Sequence, residues 1–162
     1  MDYIDELTAA VDGAAARLRR VPGVDAARRP APGKWSPKEV VGHLIDSASN
    51  NHQRFVRVRW QDDLVFPAYE QNAWVSAQDY QSAPWPQLVD LFETYNLHLA
   101  RVMRRVPAAV RLREHTRHNL DELAWQPVPP GQPTTLDEFM RDYVGHLQHH
   151  LRQLLGEDWR AQ

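Results

Sequence analysis

Eight histidines and no cysteine are spread over 162 residues. Any metal site in this chain is therefore built from His, Asp and Glu, and disulfides and a cysteine nucleophile are excluded. His146 and His150 stand one helical turn apart, a spacing that sets two imidazoles on one helix face. Two such ligands and a third from elsewhere form the usual open centre, with a position left for water or substrate. Direction selects among the eight. With ~100° per residue and Leu147 as origin, Met140, Tyr143, Leu151 and Leu154 fall within about 40°. On the same scale His150 lies about 60° to one side, His146 about 100° to that side, and His149 at about 200°, facing solvent. Around Leu44, His43 lies about 100° to one side, with Ser47, Asn50 and Arg54 within about 40° of it. This is a polar stripe on the border of the core. Asp46 projects away from the core and is the weaker candidate. His98 reads as a core-edge residue, and His52, His115 and His118 as solvent-facing.

Four segments of helical periodicity must position these groups. The first runs from Tyr3 to about Arg20, with Asp2 as N-cap. A connection from Pro22 to Lys34 follows, holding three prolines and two glycines. The second helix opens on the capping box Ser36-Pro37-Lys38-Glu39 and continues to about Arg59. The third begins near Trp85-Pro86 and buries Leu88, Leu91, Phe92, Tyr95, Leu99, Val102 and Val106. The fourth opens on the capping box Thr135-Leu136-Asp137-Glu138 and ends at Leu155, with Gly156 as the residue after it. Two long connections, Trp60 to Pro84 and Pro107 to Thr134, need a purpose in one compact domain. They are expected to cross along the bundle or to roof a site with Tyr69, Trp74 and Trp125. Val-Gly-His-Leu occurs at Val41 to Leu44 and at Val144 to Leu147, read as coincidence and not as a repeat.

Height decides whether the histidines meet. At 1.5 Å per residue His43 is about 10 Å past its N-cap, and His146 and His150 are about 13 and 8 Å before Leu155. They share a level if the second and fourth helices run antiparallel, whereas a parallel pair leaves His150 about 12 Å too far along. An up-down-up-down bundle makes these helices parallel. An up-down-down-up bundle makes them antiparallel and requires a crossover between the second and third helices. The expected fold is therefore an all-α four-helix bundle of that second kind, one domain over residues 1–162.

Composition bounds the partners. Apolar residues make up 43% and charged residues 25%, with a net charge of −2, an ordinary globular balance with no polybasic footprint for nucleic acid. Arg101, Arg104 and Arg105 read as a solvated helix face. No apolar run is long enough for a bilayer, and the acidic start is unlike a signal peptide. The expected location is the cytoplasm, with no membrane partner.

Gly33-Lys34-Trp35-Ser36 through His43-Leu44-Ile45-Asp46-Ser47 resembles the entry to the second helix of the DinB-like, or damage-inducible, superfamily. Pro67-Ala68-Tyr69-Glu70-Gln71-Asn72-Ala73-Trp74 resembles the loop that follows in its metal-dependent hydrolase (YfiT-like) branch. Tyr143-Val144-Gly145-His146-Leu147-Gln148-His149-His150-Leu151 resembles the fourth-helix signature of that branch. The resemblance covers Pro32 to Leu155. It implies an up-down-down-up four-helix bundle, metal ligands His43, His146 and His150, one nickel, zinc or similar ion per chain, and a homodimer. Some members resemble transferases that join bacillithiol or mycothiol to electrophiles, and others are called hydrolases.

Three readings of function follow. A thiol transferase would favour the thiolate of a small-molecule thiol beside the metal, and Arg54 would pair with a substrate carboxylate; a bundle-edge salt bridge is the plainer role for Arg54. A hydrolase would use a metal-activated water and needs a general base, for which Glu70 is the candidate, although a surface carboxylate is its plainer role. The third reading is a metal-stabilised binding protein without catalysis. Gly42 and Gly145 precede two of the ligands, and a helical glycine costs about 1 kcal/mol relative to alanine. Close packing is expected at both, a dimer partner being one source of it.

Overall fold

The computed structural model describes residues 2–156 and Trp159. Four long helices form the frame: α1 (Tyr3–Leu18), α2 (Pro37–Arg57), α3 (Trp85–Arg104) and α4 (Leu136–Leu155). Each begins and ends within two residues of its predicted limits. Both capping boxes are formed: Ser36 accepts from the Glu39 amide, Thr135 from the Glu138 amide, and each glutamate reaches back. Asp2 stands at the α1 N-cap but makes no side-chain cap bond. Gly156, at φ 97°, ends α4 in a conformation open to glycine.

Side-chain pairs give the directions. Tyr3 donates to Asp137 at 2.8 Å and Arg17 to the Leu155 carbonyl, so α1 and α4 run parallel. Arg19 pairs with Asp90, and Arg104 with Asp5, so α3 is antiparallel to α1. Lys38 donates to the Ala83 carbonyl, and His52 packs on His98, so α2 and α3 are parallel. Phe55 meets Phe139 edge-on while His43 meets His150, so α2 and α4 are antiparallel. The order is up-down-down-up, and the long helices that touch are α1 with α3 and α4, and α2 with α3 and α4. Leu7, Leu44, Phe55, Phe92, Leu99, Met103, Met140 and Leu147 fill the centre. Burial of each such side chain is worth about 1.5–3 kcal/mol. Leu91, expected inside, is 49% exposed, because it lies off the stripe that α3 turns toward α1 and α2.

The two long connections hold structure that period alone did not reveal. The first contains the helix Gln71–Ala77. The second contains one-turn helices at Ala108–Arg111 and Leu120–Leu123 and a strand, β1 (Glu114–His115), antiparallel to β2 (Thr134–Thr135). Leu64 bridges His118, tying the connections together. These pieces are too short for periodicity to register. His115 is buried in the β1–β2 pair and shares a hydrogen bond with the Asp62 carbonyl, which corrects its solvent-facing expectation.

Candidate metal centre

His43 stands two turns into α2, where the capping box fixes the start of the helix. Glu39, the last residue of that box, also holds Arg29 and Gln81. Burial alone would raise the Glu39 carboxyl, but Arg29, Ser36 and Gln81 outweigh it and bring it down to about 2. Trp35 lies against the His43 ring, centroid to centroid 5.1 Å. From α4, His146 and His150 reach toward the same point. His43 Nε2 is 3.3 Å from His146 Nε2, which is 3.1 Å from His150 Nε2. Among the described residues no other group of three or more His, Asp or Glu side chains converges in this way.

The donor set fits a metal ion. Nitrogens bound tetrahedrally at about 2.0–2.1 Å stand about 3.3 Å apart, close to the two spacings found. An imidazole nitrogen is either donor or acceptor, so the single Nε2 of His146 cannot satisfy both of its neighbours by hydrogen bonding; a central cation can. Burial, then the neighbouring His150, pushes His43 down to about 4, and burial with the other imidazoles pushes His146 down to about 3. Burial also lowers His150. All three are neutral at pH 7 and offer lone pairs, as metal ligands must. Gln153 Oε1 accepts from His150 Nδ1 at 3.0 Å, which turns Nε2 toward the centre. His43 Nδ1 is buried without a partner.

The glycine beside each ligand helix contact is explained within the chain. A Cβ on Gly42 would lie 2.1 Å from the Tyr80 ring, and one on Gly145 would lie 3.1 Å from Trp125. Each long connection thus drops an aromatic ring onto the residue before a histidine, once on each copy of Val-Gly-His-Leu. Asp46, expected to face away, is 2% exposed and accepts from Tyr80 and Gln78, both at 2.7 Å. Burial raises its carboxyl despite these bonds. The projection took the bundle as the only neighbour of α2, whereas the crossover covers that outer flank. For the same reason His149 is half-buried, packed on Trp125 at 5.3 Å and bonded to Gln153.

Beside His146 opens a cavity of about 370 Å³ lined by Ser47, Asn51, Arg54, Tyr69, Trp125 and Tyr143, among others. Asn51 lines it where Asn50 was expected; Asn50 instead donates to the Asp46 carbonyl. Arg54 is 5% exposed. It donates to Asn51 Oδ1 and to the Pro67 carbonyl and lies 5.9 Å from the Phe139 ring centre. No carboxylate pairs with it among the described residues, so the bundle-edge salt bridge is not formed. Burial lowers its pKa. Glu70 is on the exposed rim as N-cap of Gln71–Ala77, accepting from the Asn72 and Ala73 amides, which lower its carboxyl. Asp142 likewise accepts from the Trp125 and Gln126 amides. Asn51 and Trp35 were not singled out as site residues; their signal, a polar or aromatic position facing loops of unknown course, was not readable from period.

The family model described as DinB superfamily matches residues 6–154. A protein of Geobacillus thermodenitrificans (strain NG80-2) named "Putative metal-dependent hydrolase" is 27% identical over 127 residues, 76% of this chain. The chain spans 64% of that relative's length. Among solved structures, YfiT from Bacillus subtilis superposes with a TM-score of 0.74 at 19% identity, covering 93% of this chain and 80% of YfiT. It is described as "a probable metal-dependent hydrolase with an unusual four-helix bundle topology", and the likeness establishes the shared fold.

Proposed function

The chain belongs to the DinB superfamily, and from that premise we propose that it is a metal-dependent enzyme joining a small anionic thiol to an electrophile. His43, His146 and His150 hold one nickel or zinc ion, which three imidazoles suit equally. The ion supplies positive charge that favours the ionised form of a thiol beside it. The observation that carries the choice of substrate is Arg54, a buried guanidinium with no carboxylate partner on the wall of the cavity at His146. An uncompensated buried cation is unfavourable, and a substrate carboxylate relieves it with a charge-assisted pair. Arg54 binds and orients that carboxylate while Asn51 holds the guanidinium in place. Trp125 and Tyr69 close the sides and exclude water. The thiol proton passes to solvent, the sulfur forms a bond to the electrophilic carbon, and the leaving group departs with its bonding pair.

The relative named as a metal-dependent hydrolase supports a second reading, attack by an ionised water. Three carboxylates line the cavity at His146; Glu70 and Asp142 are committed to backbone amides, which leaves Glu122 as the base for that reading.

The test supplies metal-loaded protein with a bacillithiol-type thiol and monochlorobimane, and in parallel with ester and amide substrates. Metal-dependent conjugation is expected, with Arg54→Gln raising KM for the thiol by about tenfold, a loss of about 1.4 kcal/mol. Ester or amide turnover without conjugation selects the hydrolase, and inertness in both selects a binding protein.

A further inference from the structure

Gln153 touches two histidines, and only one of them belongs to the cluster. Its Oε1 is 3.0 Å from His150 Nδ1, and its Nε2 is 2.9 Å from His149 Nε2. Gln153 follows His149 by four positions and His150 by three, so a single side chain on α4 reaches both. His149 also packs on Trp125, and its ring stands 5.4 Å from that of His150, tilted by 68°. Both histidines are half-buried, whereas Gln153 is exposed. Hydrogen-bond chemistry couples the two imidazoles. A neutral imidazole has one N–H and one bare nitrogen, and a side-chain amide has one accepting and one donating end. If His150 turns the lone pair of Nε2 toward the cluster, its proton sits on Nδ1. That proton needs an acceptor, which sets Oε1 of Gln153 on the His150 side. The NH2 group then faces His149, whose Nε2 must be bare to accept from it. Turned about, the amide would donate to His150 Nδ1 and leave the His150 proton on Nε2, where it blocks a metal. With His150 as its sole partner the amide is free to turn either way.

We propose that His149 is a positioning residue for the metal centre. By accepting from Gln153 it holds the amide in one orientation, and through the amide it keeps His150 in the tautomer that binds an ion. This role rests on the metal site of the proposed function and is the same whether the ion serves a thiol or a water. His149 does not touch the ion itself. It acts by removing the amide orientation that would compete with metal binding, so its contribution is to affinity and not to stoichiometry.

Zinc affinity, measured by competition with a chelator, and nitrogen-15 spectra of the histidine rings at about pH 8 test this without turnover. Gln153 is exposed, so its variants leave the core untouched. Gln153→Leu is expected to weaken zinc by about tenfold, the scale of a lost outer partner. His149→Ala is expected to weaken it by about fourfold, the scale of one lost hydrogen bond, while one ion per chain is still bound. Gln153→Glu offers His150 an oxygen whichever way it turns. In that background His149→Ala should change zinc affinity by less than about twofold, whatever the added charge does to the absolute value. Spectra of the zinc-loaded parent should show His149 protonated on Nδ1 and bare on Nε2. Equal loss from His149→Ala in both backgrounds means that His149 acts by packing on Trp125 and overturns the proposal, as does a proton on His149 Nε2. Zinc binding with the wrong variant pattern overturns this role alone. A parent that binds no zinc, or binds it equally well after His150→Ala, overturns the metal centre and the role with it.

Discussion

His149 and His150 are neighbours in the chain, yet only His150 turns its Nε2 into the cluster, while His149 packs on Trp125. The 100° step of the helix separates them. His150→Ala is expected to abolish stoichiometric metal retention in elemental analysis, and His149→Ala to keep it near one ion per chain. Equal loss in both would show that the assignment of faces is wrong. A second residue-scale prediction concerns Glu39, whose carboxyl burial would raise but which Arg29, Ser36 and Gln81 hold at about 2 against an ordinary 4.5. Its folded pKa is depressed, so its contribution is full above pH 4.5 and is lost as pH falls toward about 2. That contribution is at most about 3 kcal/mol. Urea unfolding should show Glu39→Gln less stable than the parent at pH 7, with the gap closing at pH 2 to 3.

Elements are held in register by aromatic rings on glycine. Tyr80 fills the space above Gly42, while its hydroxyl and Gln78 bond Asp46, so the crossover is clasped to α2 at the turn that carries His43. Trp125 does the same for the second connection over Gly145 on α4, more loosely, being 39% exposed. Gly42→Ala is therefore expected to destabilise by about 1–3 kcal/mol through overpacking, in spite of the better helix propensity of alanine. Gly145→Ala, facing a ring with room to shift, is expected to gain up to about 1 kcal/mol or to stay neutral. Thermal melts of the two variants moving in the same direction by the same amount would contradict this contrast. The capping boxes and apolar stripes made the long helices legible in the chain. The clasps were not legible, because a helix projection has no record of what lies outside the bundle.

At the scale of the molecule the cluster links two antiparallel helices, and an ion held there acts as a cross-link of the folded state alone. At a thousandfold excess over Kd such an ion adds about 4 kcal/mol. For a chain of this size that corresponds to a rise in Tm of about 10 °C. Calorimetry of chelated and reloaded protein should show this shift, and His150→Ala should melt at the chelated temperature under both conditions. An unchanged Tm after verified metal removal would mean that the site is weak. Among the described residues no helix is long and apolar enough to cross a membrane.

Local chemistry in the chain was enough to set the three histidines on their flanks, to start α2 and α4, and to select the crossover topology, because helix period and rise are fixed by backbone geometry. Antiparallel α2 and α4 were required by the height of His43 against His146 and His150, and they are antiparallel. Tertiary structure alone decided the rest. It buried Asp46 under the crossover, left Arg54 without a carboxylate, spent Glu70 on a helix N-terminus, and set His146 and His150 in the linings of two different cavities. Those outcomes depend on where two long connections lie, and their course is set by contacts between residues far apart in the chain, which no local period encodes. The three histidines converge because the fold turns the two helix flanks that carry them toward each other.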